Sequence, residues 1–333
     1  MRNIQTRWRK RMLLFVSVLI MFTVLGAPAR SSAQDTPLDY TNDQVSDFVV
    51  VRNTGGGPSG AITWFFSDAL TSAFSYLNWG IATDRFVSGD FDGDGASDVA
   101  IWRTDSGGTA GFWILPSSTR VGYFEAFGVT GDDPSVVGDY DGDGKTDLAV
   151  YRPGPSVGTA NYWFYKRSSD GVIVAVQWGL NGDFPAPGDY DGDGRNDFAI
   201  QRDGGSGNGI FHILQTTAGY TAILFGSPTD VIVPGDYDGD GKTDIAVVKN
   251  SGGSIAWWIR RSSDGVAVPY LWGATATDFP TQGDYDGDGL TDVAIWRPDA
   301  GGSTFWVAKS TGGTLVRAWG TNGDYPVANF NTH

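Results

Sequence analysis

Carboxylates recur in this chain at a spacing that suits a hard divalent cation. The string Gly-Asp-aromatic-Asp-Gly-Asp-Gly begins at Gly89, Gly138, Gly188, Gly235 and Gly283. In Asp139-Tyr140-Asp141-Gly142-Asp143-Gly144-Lys145-Thr146-Asp147, acids fall at positions 1, 3, 5 and 9 and glycine at position 6. Calcium accepts about six to eight oxygens at flexible geometry, and the glycine permits the turn that brings the position-7 carbonyl inward, as in an EF-hand loop. The expected ligands are therefore Asp139, Asp141, Asp143, Asp147 and the backbone oxygen of Lys145. The same roles fall to Asp90, Asp92, Asp94, Ala96 and Asp98, and to Asp189, Asp191, Asp193, Arg195 and Asp197. They fall again to Asp236, Asp238, Asp240, Lys242 and Asp244, and to Asp284, Asp286, Asp288, Leu290 and Asp292. Asp-Gly steps also make hairpin turns, but a turn needs no set of four aspartates, and such a set repels itself without a cation. A sixth copy near Leu38 is decayed: Asp39, Tyr40, Asp43 and Asp47 keep the register, while Thr41 and Gln44 replace an acid and a glycine. That loop is expected to be empty, with Asn329 and Asn331 the candidates to complete it. Five sites, each at about ten times its dissociation constant, would together contribute about 7 kcal/mol, so the expected role is structural.

The elements that position these loops repeat with them. Successive strings are spaced 49, 50, 47 and 48 residues apart. An aromatic-glycine pair recurs in phase at Trp79-Gly80, Phe127-Gly128, Trp178-Gly179, Phe225-Gly226, Trp272-Gly273 and Trp319-Gly320. A second aromatic recurs mid-repeat at Trp64, Trp113, Trp163, Phe211, Trp257 and Trp306, and reads as blade-to-blade core. Each unit divides into four strand-like runs; in the unit starting at Gly188 these are about residues 185–190, 197–202, 209–214 and 220–225. Four strands in about fifty residues, six times over, predict a six-bladed β-propeller of four-stranded blades. A β-solenoid would use shorter repeats and would not need three turns in each. The tail from Asp324 to Asn331 resembles an unpartnered first strand and is expected to pair into the first blade, closing the ring.

A basic residue follows each repeat start at Arg52, Arg103, Arg152, Arg202, Lys249 and Arg297. An aspartate precedes each following loop at Asp84, Asp133, Asp183, Asp230, Asp278 and Asp324. Both sets are expected on the face opposite the aspartate loops, as a lattice of ion pairs lacing neighbouring blades, or alternatively as a cationic ring for an anionic ligand. Trp102, Trp258 and Trp296 repeat less uniformly and are candidates to stack on sugar rings.

Composition agrees with a turn-rich β protein. Glu125 is the one glutamate, against 37 aspartates, and the chain holds 48 glycines, 13 tryptophans, 13 tyrosines and 19 phenylalanines. Arg2, Arg7, Arg9, Lys10 and Arg11 precede an apolar run from Met12 to Leu25 and then small residues, which predicts a signal peptide over 1–33 with cleavage after Ala33. The propeller is then expected over 34–333, secreted or at a cell surface, with the periplasm as the alternative, and with repeats starting near 38, 89, 138, 188, 235 and 283 and a closing strand over 324–331. The run is short for a membrane span, so no stable insertion is expected after cleavage. The formal net charge of -15 argues against a nucleic-acid partner. With no cysteine, disulfides cannot staple the fold.

In its loops and aromatic-glycine pairs, over about residues 38–331, the chain resembles the FG-GAP/VCBS repeat family, which includes the propeller of integrin α subunits. The resemblance implies calcium in the loops between the first two strands of a blade, and a role in adhesion, lectin-type sugar binding or surface recognition. The leading expectation is a secreted binding module for a glycan or an extracellular protein, not an enzyme. A calcium-dependent polysaccharide hydrolase or lyase is the alternative, and a surface scaffold a third. His212, inside a strand, reads as a packed residue, and His333 stands at the terminus.

Overall fold

Short apolar runs alternate with glycine-rich turns along the whole chain. The computed structural model, which describes residues 37–328, is accordingly all-β, with no helix among the described residues. Six sheets follow one another, five of them antiparallel meanders of consecutive strands and the first completed by a strand from the far end of the chain. The second blade is representative, with strands Arg85–Gly89, Asp98–Thr104, Thr109–Leu115 and Tyr123–Val129 running from the ring's inside outward. In the third blade the inner strand is reduced to a bridge between Asp133 and Tyr151. The first blade takes its inner strand from the far end of the chain: Tyr325–Pro326 pairs with Val51 and Val50, and the Val327 amide donates to the Val49 carbonyl at 3.0 Å. The ring is thus closed as expected, by a shorter strand. The leader at 1–33, Asn329, Asn331 and His333 lie outside the described residues.

The blades pack through one aromatic layer. The residue before each lattice cation faces a fully buried aromatic on the next strand: Val51 opposite Trp64, Trp102 opposite Phe112, Tyr151 opposite Trp163, Gln201 opposite Phe211, Val248 opposite Trp257 and Trp296 opposite Phe305. The expectation from sequence is corrected in two blades, because the buried ring is Phe112 and not Trp113, and Phe305 and not Trp306. A one-residue slip along a strand puts a side chain on the other face, and Trp113 is 39% exposed.

The same layer overturns a sugar-stacking role for Trp102 and Trp296, which are 3% and 1% exposed. In blades one, three and five the third-strand indole (Trp64, Trp163, Trp257) donates to the carbonyl of Trp79, Trp178 and Trp272 on the outer strand. Blades two and six carry phenylalanine at that place, and the indole comes from the second strand: Trp102 donates to Phe127 and Trp296 to Trp319. The outer tryptophans then tie blade to blade, Trp79 donating to the Trp113 carbonyl, Trp178 to His212, Trp272 to Trp306 and Trp319 to Phe65. The glycine after each outer aromatic sits at positive φ, between 70° and 100°, which L side chains resist. In blades one, two, three and five the strand pairing slips there as a bulge.

Candidate metal loops and channel mouth

Each aspartate loop joins the inner strand of its blade to the second, so all of them emerge on one face. The position-1 carboxylate folds the loop around itself. In the second blade Asp90 Oδ1 accepts from the amides of Gly93 and Asp94, and Oδ2 accepts from Gly95. The position-9 carboxylate is buried in all five loops and joins two segments: Asp98 Oδ2 accepts from the Phe91 amide at 2.8 Å and Oδ1 from Ser117 at 2.6 Å. Burial pushes this carboxyl up, to about 7 for Asp98 and Asp197 and to about 6 for Asp147, Asp244 and Asp292, with neighbouring aspartate charges acting in the same direction. Burial likewise raises Asp90, Asp139, Asp189, Asp236 and Asp284 at position 1.

Each loop brings three of its four expected carboxylates together. Carboxylate oxygens of Asp90, Asp92 and Asp94 lie within 4.8 Å of one another, as do those of Asp236, Asp238 and Asp240. In the other three loops the close set takes positions 1, 3 and 9: Asp139, Asp141 and Asp147; Asp189, Asp191 and Asp197; Asp284, Asp286 and Asp292. In all five loops the position-5 acid accepts from a hydroxyl. At position 7 the amides of Ala96, Lys145, Arg195, Lys242 and Leu290 donate to the acid two residues back. The Lys145 ammonium points away to the Asp92 carbonyl of the neighbouring loop. One atom in four of the five loops fits a cation directly: the Oδ1 oxygens of Asp141, Asp191, Asp238 and Asp286 are buried with no hydrogen-bond partner. A buried acceptor without a donor is costly, and a hard cation is the partner that three converging carboxylates suit.

A set of residues that sequence reasoning passed over aims those oxygens. Five residues after the buried aromatic stands a hydroxyl pair: Ser117-Ser118, Ser168-Ser169, Thr216-Thr217, Ser262-Ser263 and Ser310-Thr311. The first hydroxyl donates to the position-5 acid, at 2.8 Å from Ser168 to Asp143 and 2.7 Å from Ser262 to Asp240. The second holds Oδ2 of the position-3 acid, as Ser169 does for Asp141 and Ser263 for Asp238, which leaves Oδ1 free. Thr217 departs from this, its hydroxyl going to Asp193 while its amide holds Asp191. Blade one has Ala69 and Leu70 at this place, so its turn is decayed together with its loop. The signal was present in the sequence, but Ser and Thr pairs are common in turns and become informative only once the strand register is known.

The first loop keeps its shape without the acid. Asp39 accepts from the amides of Thr41, Asn42, Asp43 and Gln44, and the Thr41 hydroxyl lies 3.5 Å from Asp47 Oδ1. Gln44 holds the glycine position at φ 66°.

On the opposite face the lattice aspartates cap the connectors between blades. Asp84 accepts from the Ile81 amide and pairs bidentately with Arg103; Asp183 with Arg202, Asp278 with Arg297 and Asp324 with Arg52 do likewise. Two members depart from expectation. Arg152 pairs with Asp132, not Asp133, because the connector there is one residue out of step; Asp133 turns instead to Arg85 at 3.3 Å. Lys249 lies over Trp258 at 4.8 Å, and among the described residues no basic side chain pairs with Asp230.

Directly after each capping aspartate the repeat stops being uniform, reading Arg85, Asp133, Phe184, Val231, Phe279 and Tyr325. Five of these six line a cavity of about 930 Å³ at this mouth of the channel, with Phe86, Asn53, Thr229 and Asp230 on its walls. Phe184 and Tyr325 are 58% and 56% exposed. Around the mouth the aromatic side chains Tyr325 and Phe184, from blades one and four, stand on either side of the Arg85–Asp133 pair of blades two and three.

Sequence models of an FG-GAP-like repeat match residues 189–247 and 236–295, and a model of the FG-GAP repeat matches 134–162. No curated protein sequence matches the chain. Among solved structures, AofleA from Arthrobotrys oligospora superposes with a TM-score of 0.54 at 11% identity, over 84% of this chain and 88% of that one. A fungal lectin from Aleuria aurantia, described as a six-bladed propeller with a novel mode of fucose recognition, covers 83% of this chain and 96% of its own at 11% identity and a TM-score of 0.46. At 11% identity the likeness to AofleA is one of fold.

Proposed function

From a chain built of FG-GAP repeats, we infer an exported propeller that calcium stiffens and that binds a carbohydrate at the mouth of its channel. The observation that carries the binding site is the ring of residues after the capping aspartates. Five-fold and six-fold repetition elsewhere serves the frame, whereas this position varies from charge to aromatic and faces open space. Ligand cavities of this size combine apolar walls with a few placed polar groups. A pyranose matches this lining, its flat apolar face resting on an aromatic ring and its hydroxyls reaching the Arg85–Asp133 pair and the Asp230 carboxylate. Calcium is supported by the unpartnered position-3 oxygens. The residues named above would hold the ion, which supplies charge neutralisation and cross-linking within each loop. Export is supported by the basic and apolar leader pattern in 1–33. The reading is binding without turnover: Asp84 and Asp133 are engaged by arginines, and His212, half-buried and away from this mouth, is tied to the Tyr220 hydroxyl at 2.9 Å.

A glycan array probed with calcium-loaded protein tests this, alongside Phe184→Ala. The expected result is binding to a defined sugar that the variant weakens about tenfold, with an unchanged melting temperature. Binding that ignores Phe184→Ala, or none on any glycan, overturns the site and favours a protein ligand.

A further inference from the structure

The aspartate loops do not stand apart from one another. The amide at position 8 of each loop donates to the position-1 carbonyl of the loop before it: Thr146 to Asp90 at 2.7 Å, Asn196 to Asp139, Thr243 to Asp189 and Thr291 to Asp236 each at 2.6 Å. The decayed loop takes part at both of its ends, Ser97 donating to Asp39 at 2.5 Å and Ser46 to Asp284 at 2.6 Å. The side chain at position 8 lies against the glycine that opens the preceding string: Thr146 at Gly89, Asn196 at Gly138, Thr243 at Gly188, Thr291 at Gly235 and Ser46 at Gly283. A Cβ on any of these glycines would collide with it, which is why the string opens on glycine at an ordinary backbone conformation.

Following the peptide groups turns these contacts into a path. The position-8 amide belongs to the same peptide unit as the position-7 carbonyl, the expected backbone ligand. The position-1 carbonyl that it meets shares a peptide unit with the position-2 amide of the preceding loop. That amide donates to the position-9 carboxylate of its own loop: Phe91 to Asp98, Tyr140 to Asp147, Tyr190 to Asp197, Tyr237 to Asp244, Tyr285 to Asp292 and, in the decayed loop, Tyr40 to Asp47. Two peptide units and two hydrogen bonds therefore separate the ligands of one site from a ligand of the next, all around the ring.

We propose that this circuit makes calcium binding cooperative between neighbouring blades, with the decayed loop serving as the metal-free link that closes it. The proposal rests on the loops being calcium sites. A cation on the position-7 carbonyl polarises its peptide and strengthens the amide bond to the previous loop. Linked hydrogen bonds reinforce one another in this way, and the same contact orders the neighbouring loop before its own ion arrives, lowering its ordering cost. Coupling of this kind is reciprocal between the two sites.

The experiment is a calcium titration by calorimetry, with ion counting, on the full chain and on position-3 variants chosen in pairs. Asp92→Asn with Asp141→Asn removes neighbours, whereas Asp92→Asn with Asp238→Asn removes sites on opposite sides of the ring. The expected result is a Hill coefficient above 1 for the parent and at least a threefold departure from additivity for the neighbouring pair, with none for the opposite pair. Five ions taken up with a Hill coefficient of 1, or equal behaviour of the two pairs, overturns the coupling while leaving the sites standing. No ion uptake overturns the calcium reading and the coupling together.

Discussion

The decayed first loop allows a test in which one substitution pair should change the sign of its effect with calcium. Thr41→Asp supplies the missing position-3 acid, and Gln44→Gly relieves the left-handed residue at φ 66°. For the second change, relief of about 1 kcal/mol of backbone strain is roughly offset by the freedom glycine gains in the unfolded chain. The balance therefore falls on the new carboxylate. Without calcium it joins Asp39, Asp43 and Asp47, and Asp47 is already pushed up to about 7 by burial and by those charges, so the variant should be less stable by about 1 kcal/mol or more. With calcium at about ten times the dissociation constant the restored site contributes about 1.4 kcal/mol. Set against the charge penalty of about 1 kcal/mol, this leaves a net gain of about 0.4 kcal/mol, a melting shift on the order of 1 °C upward, against a downward shift on the order of 2 °C in chelator. Scanning calorimetry in calcium and in chelator, with ions counted after dialysis, reads all three quantities. Six ions and a reversed melting shift are expected. Five ions, with the same melting change in both buffers, would refute the view that the remaining Asp39 scaffold is a preformed site lacking one ligand.

Other consequences follow from the same geometry. The position-9 carboxyls have folded pKa values raised to about 6 to 7, so they take up protons on folding; their contribution is present in acid and is lost as pH rises through that range in ion-free protein. A cation competes with those protons, and the melting increment from calcium should be larger at pH 8 than at pH 5.5, as thermal scans at both values would show. Trp296→Phe leaves the half-buried Trp319 carbonyl without its indole donor and should cost about 1 kcal/mol in denaturant melts without altering sugar binding. Arg202→Met strands the buried Asp183 carboxylate and should cost about 2–3 kcal/mol, whereas Lys249→Met, which breaks no ion pair, should cost well under about 1 kcal/mol.

Much of this was legible because the repeat speaks several times over. Aspartates at positions 1, 3, 5 and 9 have few structural excuses, and the unpartnered first strand at Tyr325 found its place at Val50 and Val51. What stayed hidden depended on register. Trp113 and Phe112 are adjacent in sequence, and the pleat alone decides which is buried. Asp132 and Asp133 posed the same choice, settled by a connector one residue out of step. Trp102 and Trp296 looked irregular and therefore functional, yet they compensate for phenylalanines on the next strand. The irregularity that does face solvent, after the capping aspartates, was masked because a ring of unlike residues shows no pattern until the strands are placed.

The pairing of Val50 and Val51 with Pro326 and Tyr325 also sets an order of events during synthesis. The first blade emerges early with an open inner edge, and its partner is made about 270 residues later. Contacts of such long range slow folding, and an open edge can pair with another copy in the meantime. Blades two to six need no such wait, so the nascent protein should accumulate as an open arc of five finished blades. Swapped dimers, in which each chain's closing strand completes its twin, are the misassembly this topology makes most accessible.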